Sequence, residues 1–122
     1  KLILWHGGND AALSARSTVE YYGNMRSAVG AAAADASTRF YIAPGVNHCA
    51  GGPGADTADL LTALDQWVTK SKAPATLVAQ KRDGDGTVHR IHARRFDGHH
   101  HRRDRLNGKG SPADVPSRPT GR

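Results

Sequence analysis

The chain has 122 residues, with 17 Lys plus Arg, 11 Asp plus Glu and a formal net charge of +6. This length allows one ordinary domain and argues against two. No apolar run approaches the roughly 18 residues that a membrane span needs. A single cysteine, Cys49, excludes an internal disulfide and a Cys₄ or Cys₂His₂ zinc site.

The two parts of the chain differ in charge and in apolar content. Residues 1–80 carry 6 basic and 6 acidic side chains, whereas residues 81–122 carry 11 basic and 5 acidic ones and only 7 apolar residues among 42. So few apolar side chains cannot bury enough surface to offset the entropy lost on ordering. We therefore predict that the fold lies within residues 1–80 and that residues 81–122 form a basic, disordered, low-complexity tail.

The first predicted strand is the apolar run of residues 2–5, which ends at the turn-forming segment 6–10. Apolar residues then recur every three or four positions, which predicts a helix that begins just after Ser14 or Ser17 and ends near Val29. Residues 31–37 are small and are interpreted as a flexible connection. Residues 39–43 are typical of a second strand.

A second helix follows the glycine-rich segment 51–54. Asp56 or Thr57 is the predicted N-cap, and Pro74 ends the helix. The predicted apolar stripe consists of Leu60, Leu61, Leu64, Trp67 and Val68. The order strand, helix, strand, helix is typical of an α/β protein with a parallel sheet. Two strands cannot make such a sheet alone, and the chain enters its first strand at once, so we interpret it as the C-terminal part of a larger domain.

The candidate catalytic residues lie on the loops that follow the two strands. In an open α/β sheet, ligands bind outside the carboxyl ends of the strands. Asp10 follows the first strand and His48 follows the second, and an acid followed by a histidine is the order of an α/β hydrolase triad after its serine. Ser14 and Ser17 are better explained as helix caps than as nucleophiles. His6 could help to line the site, but a histidine beside two glycines is at least as typical of a turn, so it is left out of the candidates. No Gly-x-Ser-x-Gly segment occurs in the sequence.

Three segments together resemble one family of α/β hydrolases. They are LILWHGGND at residues 2–10, Tyr21-Tyr22, and PGVNHCAGGPG at residues 44–54. They resemble the C-terminal end of the tannase and feruloyl esterase family over about residues 1–80. The tail departs from the family pattern, and a frame-shifted reading of GC-rich DNA is one hypothesis for its composition.

The resemblance implies a serine carboxylic-ester hydrolase that acts on small phenolic-acid esters, such as feruloyl or galloyl esters. Asp10 then corresponds to the triad acid and His48 to the triad base. Cys49 corresponds to a half-cystine whose partner lies beside the nucleophilic serine, upstream of this sequence. A disulfide implies an oxidising compartment, so a secreted or periplasmic location is expected. Because the serine is missing, the 122 residues alone are expected to be inactive.

Two other functions remain open at this stage. The triad does not choose a substrate, so another α/β hydrolase, such as a peptidase, a lactonase or a simple esterase, is one alternative. A basic protein that binds polyanions through the tail is the other. Residues 99–101 are three histidines that could bind phosphate or a metal weakly, but the tail has almost no aromatic residues for base stacking. We expect no cofactor, no metal, no specific nucleic acid and no membrane partner, and the oligomeric state is left open.

Overall fold

The fold is taken from a computed structural model, which describes residues 1–48 and 50–97. Its elements in chain order are β1 (Leu2–Gly7), α1 (Ala15–Val29), α2 (Ala31–Ser37), β2 (Thr38–Ala43), β3 (Thr57–Ala58), α3 (Leu60–Lys70), β4 (Thr76–Arg82) and β5 (Val88–Arg94). Among these residues, no helix is long and apolar enough to cross a membrane.

Strands β1 and β2 pair in parallel, as the sequence predicted. The register runs from Leu2 opposite Thr38 to Gly7 opposite Ala43, so both strands end at the same edge of the sheet. A parallel pair requires a crossover connection, which α1 and α2 provide. The loops that follow the two strands therefore start next to each other.

Helix α1 begins after Ser14, whose Oγ accepts a hydrogen bond from the Arg16 amide at 3.3 Å. Gly30 follows the helix with a φ of 84°, a conformation that favours glycine. The prediction of a flexible connection over residues 31–37 is wrong, because this segment forms helix α2. Four consecutive alanines have the highest intrinsic helix propensity, which accounts for the difference.

Helix α3 begins later than predicted. Asp59 is its N-cap and accepts a hydrogen bond from the Thr62 amide at 2.9 Å, whereas Thr57 lies in the short strand β3. The predicted cap at Asp56 or Thr57 is therefore wrong, and the Asp56 carboxylate contacts other groups.

The buried side of α3 is also narrower than the predicted stripe. Trp67 is buried, but Leu61 is 81% exposed and Val68 is 59% exposed. Leu60 packs against a buried cluster formed by Tyr41, Leu77 and Ala93. That cluster joins the parallel pair to the second sheet.

The prediction that the fold ends near residue 80 is wrong. Strands β4 and β5 form an antiparallel hairpin, and β3 pairs with β4 to complete a three-stranded sheet. The turn is closed by the Asp83 amide, which donates to the Thr87 carbonyl at 2.9 Å, and by the Gly86 amide, which donates to the Asp83 carbonyl at 3.0 Å.

Phe96 fixes the end of this hairpin to the first sheet. Its amide donates to the Phe40 carbonyl at 2.7 Å, and its ring packs against the rings of Phe40 and Tyr22. The prediction of disorder is thus wrong for residues 81–97, because a few well-placed apolar side chains anchor a mostly polar hairpin. The remainder of the predicted tail, residues 98–122, lies outside the described residues.

Candidate active site

Backbone hydrogen bonds tie together the loops that follow β1 and β2. The Gly8 amide donates to the Ala43 carbonyl at 2.7 Å, and the Asn9 amide donates to the Val46 carbonyl at 2.9 Å. The side chains repeat the link, since Nδ2 of Asn9 donates to Oδ1 of Asn47 at 3.1 Å. The two loops therefore behave as one structural unit at the edge of the parallel sheet.

Glycine at position 7 permits this close approach. A Cβ atom there would lie 2.2 Å from the Asn47 carbonyl oxygen and 2.5 Å from the Val46 carbonyl oxygen. Real Cβ atoms do not approach backbone oxygens so closely, so any side chain at Gly7 would push the second loop away. The glycine therefore brings the backbone before His48 up to the end of β1.

Asp10 and His48 meet where the two loops join. Nδ1 of His48 lies 2.7 Å from Oδ2 of Asp10, although the residues are 38 positions apart in the chain. The Asp10 side chain is only 3% exposed, whereas that of His48 is 50% exposed. The structure thus brings together the two side chains that the sequence singled out.

The Asp10 carboxylate is held by its own loop. Its Oδ1 atom accepts hydrogen bonds from the amides of Ala12 and Leu13, each at 2.8 Å, which leaves Oδ2 for His48. The bond from Leu13 is the main cause that lowers the pKa of Asp10 to about 2; burial opposes this shift, and the bonds from His48 and Ala12 add to it. Asp10 is therefore ionised at neutral pH.

An ionised carboxylate fixes the orientation of the imidazole. Because a carboxylate can only accept, Nδ1 of His48 must carry the proton, and in the neutral ring Nε2 is then a free base. Within the described part of the chain, Nε2 of His48 makes no hydrogen bond. The imidazole faces a cleft of about 110 Å³ lined by Trp5, His6, Gly7, Asp10 and His48. The pair can thus accept a proton from a group that enters this cleft.

His6 belongs to the same site, which the sequence interpretation missed. It lies in β1 rather than in a turn, and its Nε2 atom is 3.0 Å from the Leu13 carbonyl and 3.6 Å from Oδ2 of Asp10. Because the Leu13 carbonyl can only accept, Nε2 of His6 carries the proton in the neutral ring. Nδ1 of His6 then accepts a hydrogen bond from the Thr18 hydroxyl at 2.8 Å. The signal that could have identified His6 is its position in the sequence. It directly follows the apolar run of the first strand, at the edge of the sheet where ligands bind.

The remaining sequence candidates are less informative. Ser14 caps α1, as expected, and is not hydrogen-bonded to His48. Cys49 lies outside the described residues, so its predicted disulfide remains a prediction. In the described ranges, no group of three or more His, Cys, Asp or Glu side chains could hold a metal ion.

A family model described as tannase and feruloyl esterase matches residues 1–115. The match extends well past residue 80, so the expectation that the family likeness ends there is wrong. The matched range includes most of residues 81–122, for whose composition a frame-shifted reading is one hypothesis.

Similar proteins come from bacteria and fungi. The chain is 47% identical over 79 residues to mono(2-hydroxyethyl) terephthalate hydrolase of Piscinibacter sakaiensis, which covers 65% of this chain and 13% of that protein. It is 36% identical over 91 residues to a probable feruloyl esterase of Arthroderma benhamiae, which covers 72% of this chain and 17% of that protein. The chain therefore spans less than a fifth of the length of either relative.

Solved structures give the same result. An esterase from Aspergillus oryzae matches 80% of this chain with a TM-score of 0.71 and 26% identity, and the match covers 23% of that chain. Feruloyl esterase B from Aspergillus oryzae matches the same share with a TM-score of 0.66 and 27% identity, and again 23% of that chain is covered. The described fold is thus similar to about a quarter of a known esterase.

Proposed function

Because the chain belongs to the tannase and feruloyl esterase family, we propose that it carries the acid and the base of a serine carboxylic-ester hydrolase. The observation that carries the proposal is the contact of 2.7 Å between Nδ1 of His48 and Oδ2 of a buried, ionised Asp10. Nε2 of His48 takes the proton of the nucleophilic serine as its Oγ attacks the ester carbonyl. The imidazolium then returns that proton to the leaving alcohol.

The second half of the reaction uses the same two side chains. Nε2 of His48 takes a proton from water, the water oxygen attacks the acyl-enzyme carbonyl, and the proton passes to serine Oγ as the acid is released. Asp10 holds Nδ1–H in place and stabilises the positive charge on the imidazole in both steps. It stays ionised throughout, which agrees with its low pKa.

We place the nucleophile outside these 122 residues. The sequence has no Gly-x-Ser-x-Gly segment, and the chain covers only 13% of the hydrolase from Piscinibacter sakaiensis. The 122-residue chain alone should therefore hydrolyse neither methyl ferulate nor p-nitrophenyl acetate above background. His48-dependent turnover by the purified chain would contradict this part of the proposal.

The proposed substrate is the ester of a small aromatic acid, with phenolic acids first. Feruloyl esters are named for several relatives, and the terephthalate ester named for another is also an ester of a benzene carboxylic acid. A peptide or lactone substrate has no support among these relatives. Polyanion binding is the alternative predicted for the tail, residues 81–122, of which residues 98–122 lie outside the described part.

We also propose that Cys49 forms a disulfide with a cysteine next to the nucleophile and that the protein works in a secreted or periplasmic setting. Such a bond would keep two distant parts of the chain in register. The pairing rests on the resemblance of residues 44–54, which include Cys49, to the C-terminal end of the family. Mass spectrometry of an active, non-reduced protein should find Cys49 in a cross-linked peptide, and a free Cys49 thiol in active protein would contradict it.

The experiment for the whole proposal uses a chimera in which residues 1–97 of this chain replace the matching segment of feruloyl esterase B from Aspergillus oryzae, whose structure matches 80% of this chain. We expect it to hydrolyse methyl ferulate, methyl gallate or mono(2-hydroxyethyl) terephthalate and to lose activity on His48→Ala. The matched control is His89→Ala, a second histidine that contacts a carboxylate, Asp83, at 2.7 Å. Activity that survives His48→Ala would overturn the proposal.

A second measurement does not need an active chimera. In the 122-residue chain, nuclear magnetic resonance should show a strongly downfield Nδ1 proton for His48, because that proton is donated to an ionised carboxylate. Asp10→Asn should remove the signal. Its persistence in the variant would show that the imidazole has another partner.

A further inference from the structure

The carboxylate of Asp56 takes part in neither the helix cap predicted for it nor the Asp10–His48 pair. It is 16% exposed, and its Oδ2 atom accepts hydrogen bonds from the Gly51 amide at 2.7 Å and from Nζ of Lys81 at 3.2 Å. These contacts lower the pKa of Asp56, the Gly51 bond most and the Lys81 bond next. The ionised carboxylate of Asp56 therefore links the Gly51 amide to the ammonium group of Lys81.

The Gly51 contact leads directly to the loop that carries His48. The Gly51 carbonyl accepts from the Asn47 amide at 3.1 Å, and the Ala50 amide donates to the His48 carbonyl at 2.7 Å. His48 therefore sits at the tip of a short loop that is closed between Asn47 and Gly51. Asp56 holds the N–H of Gly51, so it fixes the base of that loop.

The other end of this chain of contacts is in β4. Lys81 belongs to that strand, and its side chain is 25% exposed. The strand is paired with β5 along its whole length, from Thr76 opposite Arg94 to Arg82 opposite Val88. The ammonium group of Lys81 thus attaches the loop to a sheet rather than to another loop.

The hairpin carries other acidic side chains close to Lys81 in the sequence. The acidic side chains near Lys81 on the hairpin, Asp83 and Asp85, have other partners: Asp83 contacts His89 at 2.7 Å, and Asp85 accepts from the Thr87 amide at 2.9 Å. Lys81 therefore contacts Asp56 alone among the carboxylates of the described residues.

We propose that Asp56 and Lys81 are positioning residues for His48, which they act on through Gly51 and Asn47. The inference rests on the proposed function, because it concerns the same base. Neither residue contacts the imidazole. They keep the His48 loop at the distance at which Nδ1 meets Oδ2 of Asp10, and a displacement of about 1 Å at a catalytic group can cost roughly 100-fold in rate.

A graded set of variants in the chimera tests this role. Lys81→Met keeps the length of the side chain and removes its charge, so kcat should fall about tenfold while KM changes less than about twofold. Lys81→Arg restores a donor and should recover most of the rate. Asp56→Asn keeps an acceptor for Gly51 and should cost less than Asp56→Ala, which removes both contacts.

The matched control is Asp59→Ala. Asp59 is a nearby carboxylate that also accepts a backbone hydrogen bond, but its partner is Thr62 in α3. Its loss should lower the melting temperature, as the loss of a helix cap does, and leave kcat unchanged at temperatures where the protein is folded. If kcat falls no more for Lys81→Met than for Asp59→Ala, the proposal is overturned. The Asp56–Lys81 ion pair would then contribute to stability and not to the position of His48.

Failure of the proposed function gives a different pattern. If the chimera stays active after His48→Ala, His48 is not the catalytic base. The contacts of Asp56 and Lys81 with the loop are then tested in the 122-residue chain, without an activity measurement. There, Lys81→Met should speed exchange of the Gly51 amide proton and weaken the downfield Nδ1 signal of His48, whereas Asp59→Ala should do neither. Unchanged exchange and an unchanged signal would contradict the inference whatever the reaction proves to be.

Discussion

Two Asp–His pairs in the molecule have the same contact distance and different surroundings. Asp10 and His48 meet at 2.7 Å, and so do Asp83 and His89 on the β4–β5 hairpin. The Asp10 side chain is 3% exposed, but that of Asp83 is 48% exposed. The contact distance therefore does not distinguish the two pairs, whereas the burial of the acid does.

The pairs also differ in the atoms that meet. His48 contacts its carboxylate through Nδ1 and leaves Nε2 without a hydrogen bond among the described residues, whereas His89 uses Nε2. The amides of Ala12 and Leu13 hold the carboxylate of Asp10, whereas Asp83 contacts His89 across the hairpin turn. The first pair joins two loops from separate strands, and the second is local in sequence.

The largest expected difference between the pairs is in catalysis. In the chimera, Asp10→Asn should lower kcat by roughly 10⁴-fold with little change in KM, because the amide favours the wrong imidazole tautomer. Asp83→Asn is the matched change and should leave kcat unaltered. Steady-state kinetics on methyl ferulate measures both, and an Asp10→Asn variant that keeps more than about a tenth of the rate would remove Asp10 from the triad.

The next expected effect concerns how the hairpin is attached to the sheet that carries the first pair. Phe96→Ala removes a ring that packs against Phe40 and Tyr22 and should destabilise the protein by about 3–5 kcal/mol. Urea unfolding of the 122-residue chain measures this, with Leu61→Ala as the exposed control. Equal losses for the two variants would mean that the hairpin does not pack on the first sheet.

Acid titration tests the lowered pKa of Asp10. The pKa of Asp10 is about 2 in the folded protein, below its ordinary 3.8, so its contribution to stability is complete above 3.8 and is lost as the pH falls towards 2. Asp10→Asn should flatten the pH dependence of the unfolding free energy across that window. The same slope in the variant and in the wild type would show that Asp10 is not the group that titrates there.

The smallest expected effect is at the exposed pair. His89→Ala should change the unfolding free energy by less than about 1 kcal/mol, and added salt should reduce that change, because both side chains lie in water. Urea unfolding at low and high salt measures it. A loss of several kcal/mol would show that the pair is less solvated than its exposure indicates.

Local sequence patterns predicted the part of the fold that forms the site. The apolar run of β1, the cap at Ser14 and the second strand each carry their own signal, and together they place Asp10 and His48 at one edge. His6 was missed because a histidine next to two glycines is typical of a turn. The Asp56–Lys81 contact could not be predicted, since it joins a loop to a strand whose existence was not expected.

The hairpin was missed because composition was averaged over all 42 terminal residues. Its turn, Asp83-Gly84-Asp85-Gly86, is a strong hairpin signal that the average concealed. Within β4 and β5 the buried apolar residues are Leu77, Ala79 and Ala93, which are few and mostly small. The opposite side of the two strands is mostly polar or charged, with Val78 and Val88 as its apolar members. A sheet with one solvated face needs little apolar sequence, so its content resembles that of a tail.

The contact of Phe96 with Phe40 also has a consequence for the order in which the molecule is made. A ribosome releases β1, α1 and β2 before residue 96 emerges, so during that interval the aromatic cluster lacks one of its three rings. The rings of Tyr22 and Phe40 then lack the partner that covers them in the folded protein. The parallel strand pair can therefore complete its packing only after the end of the hairpin has been translated.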